Sequence, residues 1–223
     1  MLKDIPYFLP DFTTSLAIIA NGQFPVDPQI IHSIKSSSVI ITCDGAINNL
    51  FQHSIISDFI IGDGDSLTKF APGLTRNPYI HIPDQNSNDL SKAFNFAVDN
   101  FPELPIIIYA ANGLREDHSI ANFALLSVFA KQHSLVTMIS DYGIFNVCHE
   151  GISKLTTLKG QQISIFSLDN QAKITCQELK WPLNQFQCSN LFSGTLNQAT
   201  KESIIINTDK EIIVYRAFEV KEN

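Results

Sequence analysis

"PIIIYAANGLREDHSIANFALLSVFAKQHSLVTMIS", residues 105–140, is the stretch whose reading decides the fold. "PIIIYA" (105–110) is a run of β-branched and aromatic residues with no polar alternation, the pattern of a strand buried on both faces. A polar loop carrying Asn112 and Arg115 follows. A helical pattern then starts near Asp117 and runs through "ANFALLSVFAKQ", and "LVTMIS" (135–140) reads as a second buried strand. A strand, a helix and another strand in this order form a parallel crossover unit.

The same texture extends towards the N-terminus. "LAIIA" (16–20), "SVIITC" (38–43), "DFIIG" (58–62) and "YIHI" (79–82) read as further strands buried on both faces. Between them, Asp27 caps a helix whose first residue is Pro28. Asn88 opens another, on which Leu90, Ala93, Phe94, Ala97, Val98 and Phe101 make one apolar stripe. After about residue 150 the helical period disappears. "GQQISIFSL", "AKITCQEL", "ESIIIN" and "EIIVYR" are strand-like, with "NTDK" (207–210) as a hairpin turn. The expected fold is α/β: a mainly parallel α/β domain over residues 1–148, then a small antiparallel β-sandwich over 149–223.

Composition excludes several classes. The net charge of −7 argues against a nucleic-acid surface, which normally needs a basic face. Hydrophobic content of 44% is ample for a packed core, but the longest strongly apolar stretch, "ANFALLSVFA" (121–130), is too short to span a bilayer. "MLKDIPYFLP" has an early Asp4 and two prolines and lacks the basic-then-apolar order of a signal peptide. Cys43, Cys148, Cys176 and Cys188 form no C-x-x-C pair, so reduced and mostly buried thiols are expected, as in a cytoplasmic protein.

In an open parallel sheet, ligands bind beyond the carboxyl ends of the strands. Asp44 follows "SVIITC"; Asp63 and Asp65, within "IIGDGDSL" (60–67), follow "DFIIG"; Asp84 follows "YIHI". Asp89 stands in the first turn of the next helix, and Arg115 follows "PIIIYA". A surface turn or a helix start accounts for any one of these acids. It accounts poorly for five on one edge, where unneutralised carboxylates repel. Mg²⁺ with a polyphosphate resolves the conflict, because the cation bridges carboxylate and phosphate oxygens. There is no G-x-x-x-x-G-K-[ST] loop and no G-x-G-x-x-G, so Mg²⁺, Arg115, Lys92 and helix N-terminal amides would hold the phosphates. Taken by itself, Lys92 is a solvated surface lysine.

The order of motifs resembles the thiamine pyrophosphokinase family. The matching stretches are "IIANGQFP" (18–25), "CDGAINNL" (43–50), "IGDGDS" (61–66), "DQNSNDLSKAF" (84–94), "NGLREDHSIAN" (112–122), "ELKWPL" (178–183) and "SGTLNQA" (193–199). The resemblance implies a nucleotide-binding α/β domain, a thiamine-binding β-sandwich and a homodimer with sites at the subunit interface. It implies transfer of the pyrophosphoryl group of ATP to the hydroxyethyl group of thiamine, with AMP released. By position, Asp44, Asp63, Asp65 and Asp89 match the acids that handle Mg²⁺ and the triphosphate. Asn21, Asn48, Ser66, Lys92, Arg115 and Asp117 match positions around ATP and the reacting groups, with Asp89 or Asp117 as proton acceptor. His118 reads as a structural partner of Asp117.

Trp181 matches a tryptophan associated with thiamine, and Asn197 matches the asparagine of a Ser-Asn pair. Four departures stand out: Ala46, Gly64, Leu196 where serine is usual, with Thr195 as its substitute, and a single glycine before Arg115. Read without the family, the lone Trp181 beside Pro182 is a core residue. Two alternatives use the same acidic edge: a Mg²⁺-dependent nucleotide phosphohydrolase, and a non-catalytic thiamine or nucleotide sensor. Neither accounts for the whole pattern, since the hydrolase leaves the β tail idle and the sensor has no need of so many carboxylates.

Overall fold

Residues with no polar face can only be strands of a sheet covered on both sides, and the computed structural model, which describes residues 3–5, 14–65, 75–77 and 79–221, builds them so. The chain divides into two compact units, Pro10–Asp141 and Tyr142–Asn223 together with Met1–Leu9. The elements in order are β1 (Lys3–Ile5), β2 (Leu16–Ile19), α1 (Pro28–Ser36), β3 (Val39–Cys43), α2 (Ile47–Gln52), β4 (Phe59–Gly62), β5 (Ile80–His81), α3 (Asp89–Asn100), β6 (Ile106–Tyr109), α4 (Glu116–Gln132) and β7 (Val136–Ser140). Then follow β8 (Gly143–Cys148), β9 (Gly151–Thr156), β10 (Gln161–Phe166), β11 (Lys173–Cys176), β12 (Leu183–Gln187), β13 (Gly194–Gln198), β14 (Ser203–Thr208) and β15 (Ile212–Val220).

In the α/β unit the strands run β7-β6-β2-β3-β4-β5, all parallel. All four residues of β2 and of β6 are buried, as their unbroken apolar sequence requires. Helix α1 starts with Pro28 after Asp27, whose side chain accepts from the Gln29 amide at 2.7 Å. Helix α3 is capped by Asn88, which accepts from Ser91 N at 2.9 Å, and it buries Leu90, Ala93, Phe94 and Ala97. Phe94 stacks on Phe129 of α4 at 4.0 Å between ring centroids.

The chain moves outward on one side of β2 through β3, β4 and β5, and on the other side through β6 and β7. The direction therefore reverses between β2 and β6, the place where α/β sheets open a ligand crevice. Two loops leave this point zipped together, with Ala20 N on Tyr109 O at 2.9 Å, Gly22 N on Ala110 O at 2.7 Å and Gln23 N on Asn112 O at 2.8 Å. A Cβ on Gly22 would lie 2.4 Å from Asn112 O, so the zipping needs glycine there.

The β unit has two sheets, β13-β10-β15-β8 and β1-β9-β14-β11-β12. Alternate residues of each, such as Ile163 and Ile165, Ile204 and Ile206, or Ile212 and Val214, fill one core between them. It is the expected sandwich, antiparallel except where β1 pairs in parallel with β9.

Several expectations are corrected. "YIHI" forms only the two-residue strand β5, half-exposed at Ile80 and exposed at His81, because among the described residues it is the edge of the sheet. "NTDK" is not a hairpin turn: β14 and β15 lie in different sheets, so the segment is a corner between them. The compact units meet between Asp141 and Tyr142, and β8 pairs along its whole length with β15. All four cysteines are free and buried. No described helix is long and apolar enough to cross a membrane.

Candidate active site

The carboxyl edge of the parallel sheet carries the chemistry. Asp44 opens a 3-10 turn directly after β3 and is fully buried. Its Oδ2 accepts from Gly64 N at 2.9 Å and from the Tyr79 hydroxyl at a long 3.5 Å. Gly62 makes room for it: a Cβ there would lie 2.4 Å from Cβ of Asp44. Asp63 and Asp65 sit in the turn after β4, where Gly64 takes a positive φ of 87° that glycine adopts without strain. One oxygen each from Asp44, Asp63 and Asp65 lie within 4.8 Å of one another. Three hard oxygen donors at that spacing, held by a backbone amide and a glycine cradle, suit a small divalent cation such as Mg²⁺.

Asp89 is not part of that trio. It stands at the start of α3, where its carboxylate meets the ammonium of Lys92 at 3.1 Å. Lys92 also reaches Asp63 Oδ2 at 3.1 Å. The residue is only 3% exposed, so its reading as a solvated lysine is corrected: one turn into α3, it points back into the acidic edge. Burial pulls the Lys92 ammonium down, but hydrogen bonds and charge from Asp89 and Asp63 outweigh it, and its pKa ends above the ordinary value. The hydrogen bond from Lys92 lowers Asp63, helped by the Asp65 amide. Asp89 is raised instead, because its desolvation exceeds what Lys92 returns. Burial and the nearby Asp44 charge push the Tyr79 phenol far up, so it remains a hydrogen-bond donor.

Asp63, Asp65, Asp89 and Lys92 face a cleft of about 510 Å³, formed with the loops after β2 and β6 and the start of α3, whereas the buried Asp44 does not line it. Asn21, Asp63, Asp65, Asp89, Lys92 and Arg115 line it. Asn21 packs against Gly45, where a Cβ would fall 2.2 Å from its Nδ2. Arg115 closes a bidentate pair with Asp117, Nη2 to Oδ2 at 2.6 Å and Nε to Oδ1 at 3.1 Å. The guanidinium holds the Asp117 carboxyl at about 2, well below the carboxylate range. His118 lines the cleft beside Asp117, to whose Oδ1 its backbone amide donates at 2.9 Å.

Other expected residues fall elsewhere. Asp117 itself does not line the cleft. Asp84 turns into its own loop, accepting from Asn86 N and the Ser87 hydroxyl, so four acids rather than five face the edge. Asn48 is exposed in the first turn of α2 and does not line the cleft. Ser66 lies outside the described residues. Sequence reasoning missed Tyr79, His81 and Gln85: His81 Nε2 meets Asp63 O at 2.9 Å and Gln85 donates to Asp63 Oδ2 at 3.1 Å. Both stand on the Asp84 side of Asp63, in the quoted motif or just before it, which was the available signal.

In the β unit, Trp181 lies in the bend between β11 and β12 and is 58% exposed. The core reading is corrected: neighbouring Leu179 and Leu183 enter the sandwich core and leave the indole outside. Thr195 bonds Phe192 O through its hydroxyl at 2.8 Å. Asn197 is buried and hydrogen-bonded to the Trp181 backbone. Leu196, at the departure from the Ser-Asn pair, is exposed and holds a φ of +60°.

Residues 30–138 match the family model for the thiamin pyrophosphokinase catalytic domain, and residues 143–215 match that for the thiamin pyrophosphokinase substrate-binding domain. The fold is similar to that of thiamin pyrophosphokinase from Candida albicans, with a TM-score of 0.78, 16% identity, and 98% of this chain and 94% of that one covered. It is similar also to the Bacillus subtilis thiamine pyrophosphokinase (0.76, 20% identity, 92% and 100% covered) and the yeast enzyme (0.76, 15%, 96% and 90%). At such identities these structures speak for the fold alone. No curated protein sequence matches the chain. The two family models together span both compact units, and the chain belongs to the thiamin pyrophosphokinase family.

Proposed function

We propose that the chain transfers the pyrophosphoryl group of ATP to the hydroxyethyl group of thiamine, giving thiamine diphosphate and AMP, with Mg²⁺ as its metal. The observation that carries this reading is the set of three carboxylate oxygens within 4.8 Å, two of them on residues lining a cleft that also holds a buried ammonium and a guanidinium. Asp44, Asp63 and Asp65 would hold the cation, which when bound neutralises polyphosphate oxygens; Asp89, paired with Lys92, supports the site from beside it.

The reaction is in-line attack of the thiamine hydroxyl on the β-phosphorus, so positioning and charge neutralisation are the protein's main tasks. Arg115 presents a planar fork to phosphate oxygens, and Asp117 holds that fork in place at the cleft mouth. Lys92 fixes the Asp63 and Asp89 carboxylates relative to each other. Of the two acids open as acceptor of the hydroxyl proton, Asp89 is the stronger base. Desolvation raises it, whereas Arg115 depresses Asp117. Asn21 and the loop amides at the β2–β6 reversal line the nucleotide side, and the exposed Trp181 ring offers a stacking face to thiamine. The active species is a cytoplasmic homodimer with sites completed at the subunit interface.

The test is AMP release with ATP, Mg²⁺ and thiamine, each omitted in turn. Release that needs all three supports the reading. Turnover of ATP with Mg²⁺ alone would favour a phosphohydrolase, and binding of thiamine without any AMP would favour a sensor.

A further inference from the structure

Asn197 is held by three hydrogen bonds to the main chain. It is 6% exposed, near the end of β13, and its carboxamide faces the main chain of Trp181. Nδ2 donates to Trp181 O at 2.8 Å, and Oδ1 accepts from Trp181 N at 3.2 Å and from Gln198 N at 2.8 Å. The orientation of the amide is determined by these partners, since a flip would set its oxygen against a carbonyl and its nitrogen against two N–H groups.

Around this contact the backbone of the bend is already stitched to the same strand. Leu179 bridges Ala199, Lys180 N donates to Gln198 O at 2.8 Å, and Thr200 N donates to Glu178 O at 2.9 Å. The ladder runs out at Trp181. There the Asn197 amide, a copy of a peptide group, supplies one more rung from a side chain. The rung satisfies both main-chain groups of the residue whose ring stands 58% in solvent.

We infer that Asn197 is a positioning residue for thiamine: it fixes the Trp181 backbone so that the exposed indole is presented in one orientation. The inference rests on the proposed stacking of thiamine on Trp181. A carboxamide is required. Aspartate would keep the acceptor but face the Trp181 carbonyl with a second oxygen, and serine is too short to reach both groups.

The experiment uses Asn197→Asp in the full chain, with Asn197→Ser as the second variant should the first not fold. Trp181 is the sole tryptophan, so its time-resolved anisotropy and acrylamide quenching report the bend directly, with no ligand present. Faster local depolarisation and stronger quenching are expected. The KM for thiamine should rise about five- to tenfold, as loss of one backbone hydrogen bond implies, while the KM for ATP stays within twofold. Unchanged anisotropy overturns the clamp. A looser indole with an unchanged thiamine KM overturns the positioning role. Failure of the stacking reading is separate: it shows as wild-type Trp181 emission that saturating thiamine does not alter, and the ligand-free anisotropy still decides the clamp.

Discussion

At the residue scale the acidic edge makes two measurable commitments. Asp63→Asn keeps the size of the side chain and leaves Lys92 its second partner, Asp89, so the fold should survive. Turnover should fall by about a hundredfold or more, the loss typical of one positioned charge-stabilising group. A melting curve and steady-state AMP release check both halves. Asp117 should titrate at about 2 by carbon NMR, and Arg115→Ala should return it to about 4. Because its folded pKa is depressed, any stability the pair adds is present above the unfolded carboxyl pKa. That contribution is lost as pH falls towards 2; the pair is exposed, so the contribution is small.

The acids themselves were legible from their places after apolar runs. Read without the family resemblance, Lys92 and Trp181 were not. Composition treats lysine as solvated and tryptophan as buried, and only tertiary contacts show that one turns inward and the other stays out. Asp84 failed for a different reason: a local Asx turn with Ser87 and Asn86 competes for the carboxylate, and the spacing alone does not show which partner wins.

Elements with local chemical punctuation were readable; those made by long-range pairing were not. Helices α1 and α3 announce themselves through Asp27–Pro28 and Asn88. Helix α2, six residues without a side-chain cap, has no such signal. Strand β12 is polar and exposed at several positions, β13 is polar though mostly buried, and β1 is three residues drawn from the far end of the chain, so neither periodicity nor composition marks them. The cap of α3 has a consequence for function, because Asp89 and Lys92 occupy its first turn. Asn88→Ala should cost about 1 kcal/mol in urea unfolding. Fraying of that turn should also loosen the Asp63–Lys92–Asp89 set and lower turnover. Stability loss with wholly unaltered kinetics would separate the cap from the site.

At the scale of the whole molecule, the two textures of the sequence correspond to the two units, and the open question is what the β unit leaves uncovered. Leu191, Phe192 and Leu196 fall within six residues and are exposed, Phe192 at 76%; Trp181 is exposed in the same unit. Large apolar side chains concentrated in this way mark an interaction surface. A second copy of the chain is the partner that the proposed homodimer supplies, and burying Phe192 and Leu191 on both copies would give the interface a central apolar anchor. The expected mass by sedimentation equilibrium is therefore about 50 kDa, twice the 24.8 kDa of the chain, as for an ordinary dimer. Phe192→Asp places a charge in that anchor without touching the sandwich core, so the protein should remain folded but shift towards the monomer. Turnover should fall with the dimer fraction and recover as protein concentration is raised. A wild-type monomer with full activity at assay concentration would remove the shared site. A Phe192→Asp dimer as tight as wild type would move the interface to another face.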